Sequence, residues 1–444
     1  MTNSYFEKEI EFLSNFSKDE EKVEICRNYC DRELDILVDT YRKRYLEKIQ
    51  STTNYIWKSP EIKKEINLDG NNKVKFSYER NMQLTYLETS IEKDKLLKTS
   101  YQTNAIVTSS GMSSIYLILM TISSIYSGNI NCYRFSDYFE TRMLSKVLGN
   151  TNIVYKNVSD LYTDNLNELN IIYIEPVSYT WEFPVFDFNK LTKFIKNIDK
   201  HFVIIVDSTL IGDLSDYTNI IDKLNNESNV FLFEVRSLLK MDQYGMEFTN
   251  GGLIQCYHNE SNNLFNSKEI ASYMKELRII LGYGLNSDSY HILSDEFIRK
   301  NLIFNNYKNI VLKNNLEFHQ KITSNMLFRK INYPEYPMRA PFIIFELEEP
   351  SKTNYLFLIS IISHLSEKYK LSLYYGSSFG FRHHRYEIII PNESNENIIF
   401  KLAMGYRKDY SYYKILDLLN DLSLYTMEEL VNIYKGISTL DLDI

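Results

Sequence analysis

Between residues 100 and 258 short β-rich apolar runs alternate with amphipathic segments of helical length, and no other feature constrains the fold as tightly. The runs read "NINCYRF", "NIVYKNV", "LNIIYIEP", "HFVIIVDS", "NVFLFEV" and "GGLIQCY". Strands separated by helix-length segments argue for a parallel α/β sheet with helices on both faces. The uncharged stretch "GMSSIYLILMTISSIYSG" (residues 111–128) is too short and serine-rich to span a bilayer and reads as a buried helix in this pattern.

The flanks differ. Residues 1–60 read as an N-terminal helical arm, densely charged in "EEKVEICRNYCDRELDILVDTYRKRYLEKI". A large α/β domain is expected over 61–310 and a smaller α+β domain over 311–444. A long helical region at roughly 267–326 leads to the proline-bracketed turn "INYPEYP". Then follow "FIIFELE", a helix "YLFLISIISHLSEKY", a hairpin-like "RYEIIIP", "FKLAMGY" and a closing helix pair.

A formal net charge of −8 over 444 residues predicts no nucleic-acid partner. The acidic, charge-broken N-terminus is no secretory signal, so a soluble cytoplasmic protein without a membrane partner is expected. Of the four cysteines, Cys26 and Cys30 lie one helical turn apart, but no Cys/His pair with zinc-like spacing accompanies them. No metal is expected.

In open parallel sheets ligands gather at the carboxyl ends of the strands. "VTSSGMSSIYLILM" sets Ser109, Ser110 and Gly111 just ahead of the apolar helix. Such a loop offers backbone N–H groups and the positive end of the helix dipole to a phosphate, or serves as a plain N-cap with a turn glycine. "HFVIIVDS" ends near Asp207, either a helix N-cap or an active-site anion. "NVFLFEVRSLLKMDQYGMEFTNGG" delivers Ser237 and Lys240, then two glycines; a strand-end lysine taken alone is commonly solvated. Together these are the parts pyridoxal 5′-phosphate needs. Its phosphate seeks a helix terminus, its pyridine nitrogen a carboxylate, and its aldehyde a lysine amine.

With those residues in place, the chain resembles the Cys/Met metabolism family of pyridoxal-phosphate enzymes, the cystathionine gamma-synthase and gamma-lyase group, from about residue 75 to the end. "SSGMSSI" is similar to the family's S-G-M-x-x-I phosphate loop, "VIIVDST" to V-V-D-N-T, and "RSLLKMDQYGMEFTNGG" to S-A-T-K followed by G-G. "YERNMQLTYLE", "SDYFETRMLSKVLG", "YIEPVSYTWEFPVFDFNK", "LRIILGYGLNSDSYHIL" and "FKLAMGYRKDYSYYKILDLLNDL" follow further family segments in order. The resemblance implies fold type I, the aminotransferase-like architecture, with pyridoxal 5′-phosphate on Lys240 and Asp207 at its ring nitrogen. It implies that Tyr138 stacks on the ring and that Ser110, Gly111, Met112 and Ser237 hold the phosphate. Tyr78 and Arg80 would reach the phosphate of a neighbouring subunit, which implies a homodimer or homotetramer with shared active sites.

The sequence departs from the family where function is decided. Leu239 replaces the threonine before the lysine, Phe139–Glu140 a pair of small residues, and Lys401 the arginine that clamps the substrate α-carboxylate. The asparagine expected after Glu175–Pro176 is missing, and Tyr179 is the nearest substitute. Lysine offers a point charge rather than a bidentate fork. In "SSFGFRHHRYEI" Ser378 falls on the substrate segment and Arg382 and Arg385 could compensate, although that stretch also reads as a solvated hairpin. The expected function is β/γ-elimination or γ-replacement on a specialised amino-acid substrate. Transamination, decarboxylation, condensation, or a non-catalytic scaffold role are the alternatives.

Overall fold

A computed structural model describes residues 6–9, 11–12, 30–53, 56–61, 66–69, 72–74, 76–136, 138–148, 151–180, 182–262, 264–295, 304, 306–389 and 398–439. Helix α1 (Asp31–Thr53) buries Leu34, Val38, Tyr41, Tyr45 and Ile49. That three-to-four-residue spacing puts one stripe inside, and each such side chain contributes about 1.5–3 kcal/mol when fully buried. Cys26 lies outside the described residues.

A small antiparallel ribbon, β1 (Ile66–Asp69) and β2 (Asn72–Val74), precedes α2 (Thr85–Thr99). The central sheet has seven strands: β3 (Thr103–Thr108), β4 (Ile130–Phe135), β5 (Ile153–Asn157), β6 (Leu169–Ile174), β7 (His201–Asp207), β8 (Val230–Ser237) and β9 (Gly252–Tyr257). Their order is β3-β9-β8-β7-β6-β4-β5. Only β9 runs against its neighbours β3 and β8, and the pairs from β8 to β5 are all parallel. The carboxyl ends of six strands therefore share one edge.

Side chains alternate between two cores, as a period of two requires. Ile171, Val203, Ile205, Phe231 and Phe233 pack toward α3 (Gly111–Ile125), with Ile115 and Ile118 in the same cluster. Ile172, Ile174, Ile204, Val206 and Leu232 face the opposite layer with Leu191 and Ile221. Those two residues lie on the short helices Phe188–Ile195 and Thr218–Asn225. Both faces are covered, which explains the unbroken apolar runs.

Among the described residues, the expected helical region after β9 contains the helices Ser267–Leu281, Ser287–Ser294 and Tyr307–His319. The last leads into a five-stranded sheet of order β10-β11-β14-β13-β12, with β10 (Phe328–Asn332), β11 (Ile343–Leu347), β12 (Leu373–Tyr375), β13 (His384–Ile389) and β14 (Ile399–Ala403). β12 pairs parallel to β13, and the other pairs are antiparallel. Helices Lys352–Lys368, Tyr410–Ser423 and Met427–Ile433 cover one face around Phe345, Tyr355, Phe400 and Leu419. Among the described residues no helix is long and apolar enough to cross a membrane.

Candidate active site

Three neighbouring strand ends and two loops converge. β7 ends in Asp207, whose carboxylate is held from two sides. The Tyr173 hydroxyl, on adjacent β6, donates to Oδ2 at 3.0 Å, and the Thr209 backbone N–H donates to Oδ1 at 2.9 Å. Burial pushes the Asp207 carboxyl above its usual range, the Thr209 and Tyr173 hydrogen bonds oppose this, and Glu234 adds a smaller upward push. Thr209 also fixes the next strand end, its Oγ1 accepting from the Ser237 N–H at 3.0 Å.

Ser110 caps α3 with an extended backbone, its Oγ accepting from the Ser113 N–H at 3.1 Å. The N–H groups of Gly111 and Met112 have no hydrogen-bond partner among the described residues, as the first turn of a helix requires. A Cβ on Gly111 would lie 3.4 Å from the Ser237 Cβ, so this helix end rests directly on the end of β8. The second glycine of "NGG" has the complementary role. Any side chain on Gly252 would overlap the Ser110 carbonyl, so only glycine lets β9 pass behind the loop.

Lys240 follows β8 by three residues and is half-buried. Its Nζ donates to Ser378 Oγ and lies 5.4 Å from the centroid of the Phe379 ring. Burial pulls its ammonium below the ordinary lysine range, while Glu247 and Glu140 act in the opposite direction. Ser378 is held at φ +80°, a region serine rarely adopts. Two residues on, a Cβ on Gly380 (φ +79°) would come within 2.7 Å of Met241 Cγ. The Ser378 loop is thus pressed onto the residue after the lysine.

Tyr138 starts the helix α4 (Phe139–Val147), its ring 5.1 Å from that of Phe139. Burial, then Glu140, Asp207 and Glu175, hold its phenol well above the usual range, so it stays protonated. Tyr179 walls the far side, within reach of the charge on Glu387 and of Tyr138. Lys401 on β14 is buried, stands opposite Glu387 of β13 in register, and ion-pairs with it. Its Nζ lies 4.9 Å from the Phe342 ring centroid and 5.7 Å from that of Tyr179.

Arg382 to Arg385 do not form a solvated hairpin: Arg382 is 2% and His384 0% exposed. Arg382, expected to face a substrate, turns to the N-terminal arm, donating to Asp39 at 2.9 Å and to Glu9 at 3.5 Å. Its partners are acidic residues over 340 positions away, which no local pattern reveals. Arg385 instead lies flat over Phe381 at 3.5 Å, with Nε donating to His383 Nε2 and NH1 to the Ser377 carbonyl, both at 3.0 Å. His384 Nδ1 accepts from the Gly405 N–H at 3.0 Å, and burial lowers its imidazole to about 3, so the ring is neutral. No group of three or more His, Cys, Asp and Glu among the described residues could hold a metal. Tyr78 and Arg80 are exposed, with the guanidinium 5.5 Å from the Tyr78 ring centroid. They adjoin the Gly282–Gly284 turn, whose Tyr283 carbonyl accepts the Ser109 N–H at 2.8 Å.

Tyr173, Thr209, Glu247 and Glu387 were not singled out by sequence. Thr209 had a signal in "VDST", and Tyr173 had one as a phenol within an aliphatic strand. Glu247 had none, since its place depends on a loop conformation.

No family model and no curated protein matches the sequence. Solved structures do match. One is described as an O-acetylhomoserine (thiol)-lyase from Campylobacter jejuni and contains a pyridoxyl-lysine monophosphate. It superposes with a TM-score of 0.59 at 14% identity, over 83% of this chain and 93% of its own. Another, cystathionine gamma-lyase from yeast, superposes with a TM-score of 0.55 at 14% identity, over 96% of this chain and 99% of its own. The chain has their fold, fold type I. On this fold-type-I scaffold the donor set matches the chemistry of pyridoxal 5′-phosphate. Two free N–H groups at a helix start and the Ser237 hydroxyl suit a phosphate, Asp207 suits a ring nitrogen, and Lys240 supplies an amine of lowered basicity.

Proposed function

We propose that the chain is a pyridoxal-phosphate enzyme that eliminates or replaces a leaving group at the β- or γ-carbon of an amino acid. The observation that carries this reading is the convergence of Asp207, the Ser110–Gly111 helix end and Lys240 at the carboxyl-end edge of the sheet, where Ser237 at the end of β8 is tied to Asp207 through Thr209 and touches the Gly111 helix end. When bound, the cofactor supplies an electron sink for negative charge at the substrate α-carbon. Gly111 and Met112 N–H groups, with Ser110 and Ser237, hold its phosphate, and Asp207 holds its ring nitrogen protonated. Tyr138 covers the ring. Lys240, kept less basic by burial, takes and returns the α-proton, and Ser378 orients its Nζ.

The substrate carboxylate falls to Arg385. The charge of Lys401 is already met by Glu387, whereas Arg385 has one terminal nitrogen without a partner among the described residues. Tyr78 and Arg80, exposed in one copy, complete the phosphate shell of a second in a homodimer or homotetramer. The exposed Phe139, Met143 and Val147, at i, i+4 and i+8 on α4, supply an apolar seam for such contacts. The Lys401–Glu387 pair also favours a second reading, in which the same cofactor serves transamination, decarboxylation or condensation.

Purified protein mixed with pyridoxal 5′-phosphate should turn yellow, and borohydride should fix the cofactor on the peptide containing Lys240. With L-cystathionine and O-acetyl-L-homoserine among the amino acids offered, release of ammonia and an oxoacid together with the leaving group, a thiol from the first and acetate from the second, supports elimination. Stoichiometric amino transfer to an oxoacid supports the second reading. A protein that stays colourless would overturn both.

A further inference from the structure

The lysine loop (residues 240–251) and the Ser378 loop (residues 376–382) interlock through glycines. A Cβ on Gly245 would come within 2.7 Å of Phe381 Cα and 2.8 Å of the Arg382 nitrogen, as Gly380 does with Met241. The lysine loop is also conformationally demanding, with Tyr244 at φ +53°, Gly245 at +65° and Glu247 at +45°. Two non-glycine residues in the left-handed region persist only where the surroundings dictate them. Within the loop Gln243 supplies part of that, its Nε2 donating to the Leu238 and Thr249 carbonyls at 3.0 and 2.6 Å.

The remainder comes from α1. Arg42 donates through Nε to the Met246 carbonyl and through NH2 to the Glu247 carbonyl at 2.6 Å. One turn earlier Asp39 accepts from Arg382 at 2.9 Å. Deeper, Arg407 just past β14 is fully buried against Glu9, at 2.6 and 2.8 Å, and against Asp35 of α1. One guanidinium of α1 thus grips the backbone of the lysine loop, while one carboxylate of the same helix grips the end of the Ser378 loop.

We propose that α1 is a positioning element of the catalytic centre, in which Arg42 and Asp39 hold in register the two loops that meet at Lys240 Nζ. Lys240 feels Glu247 of its own loop, Glu140 from α4, and Arg385 and Glu387 from β13. Lys401 of β14 stands within range of the same charge. Freeing the Met246–Glu247 backbone moves the Glu247 carboxylate away from the lysine and removes a field that favours its cationic form.

The experiment compares Arg42→Ala, Arg42→Lys and Asp39→Asn, with Lys43→Ala as the control from the exposed face of α1. Hydrogen exchange is read on the full chain without added cofactor, so this arm stands apart from the proposed function. In Arg42→Ala the amides of 241–249 and of 376–382, a loop Arg42 does not touch, exchange about tenfold faster or more. Asp39→Asn does the same beginning at 376–382, and Arg42→Lys recovers part of the protection. A second arm rests on the pyridoxal-phosphate reading. With that cofactor bound, the pH midpoint of the visible absorbance falls by about half a unit or more in Arg42→Ala, and the Lys43→Ala midpoint stays at the native value. Native exchange in both loops in Arg42→Ala and Asp39→Asn would overturn the proposal. If the native protein takes up no pyridoxal phosphate, the functional reading falls while the exchange result still decides the role of α1.

Discussion

Strand β8 and the loop that follows it carry two kinds of charge. Under the sheet, Glu234 is met by Lys95 at 2.6 Å, Arg236 at 3.1 Å, Ser208 at 2.7 Å and Tyr257 at 3.1 Å. Lys95 also reaches Asp213 at 3.2 Å, and Lys308 bonds Asp242 at 2.8 Å. In the loop after the same strand Lys240 has one hydroxyl, and Glu247 has no side-chain hydrogen bond among the described residues. Saturated charge holds the sheet to α2 and cannot be recruited for chemistry without leaving a partner orphaned. Unsaturated charge at the strand ends is ready for a ligand and shifts toward its neutral form meanwhile.

Substitutions on the two sides should therefore fail in opposite ways. Lys240→Ala abolishes borohydride trapping and lowers turnover by about a thousandfold or more, with the apparent Tm within about 2 °C of native. Lys95→Ala leaves Glu234 buried with less compensation and costs about 3–5 kcal/mol in urea unfolding, while the fraction that remains folded still binds cofactor. If the two variants exchanged phenotypes, the division would be broken. Asp207→Asn keeps Tyr173 and Thr209 as neighbours and so keeps the fold, but slows turnover by roughly a hundredfold; unchanged steady-state rates would remove Asp207 from the reaction.

Asp409 sharpens the contrast because it is unsaturated although it belongs to none of the strand ends of the central sheet. Both carboxylate oxygens are buried without a hydrogen-bond partner. Burial pushes its carboxyl up to about 7, with Asp31, Asp35 and Glu9 adding to the push and Arg407 opposing it. Its native value exceeds the ordinary 3.8, so between about pH 4 and 7 the folded protein keeps a proton that the unfolded chain has lost. Stability therefore falls as pH rises through that window. Asp409→Asn should raise the apparent Tm at pH 8 by about 2 °C or more, shift it less at pH 4, and leave turnover unaltered.

The sheet was legible because β6 to β9 are buried on both faces and so written as apolar runs. β10 was hidden, since its arginine and lysine are exposed and it lacks that pattern. Ser110–Gly111, Asp207 and Lys240 could be read as strand-end residues because position along a strand is a local property. The orientation of Arg382 could not, because Asp39 and Glu9 become its neighbours only after the chain has folded back on itself. Lys401 could be seen as a departure in the sequence, but its neutralisation by Glu387 depends on the pairing register of β13 and β14.

The contacts of Glu9 and Asp35 with Arg407 span 398 and 372 positions of sequence. On the ribosome the first of these partners emerges long before the last. Helix α1 must wait, without its buried cation, until Arg407 has been added, 372 positions after Asp35. The hold of α1 on the loops at Lys240 thus becomes complete only after Arg407 has followed, long after Lys240 itself has left the ribosome.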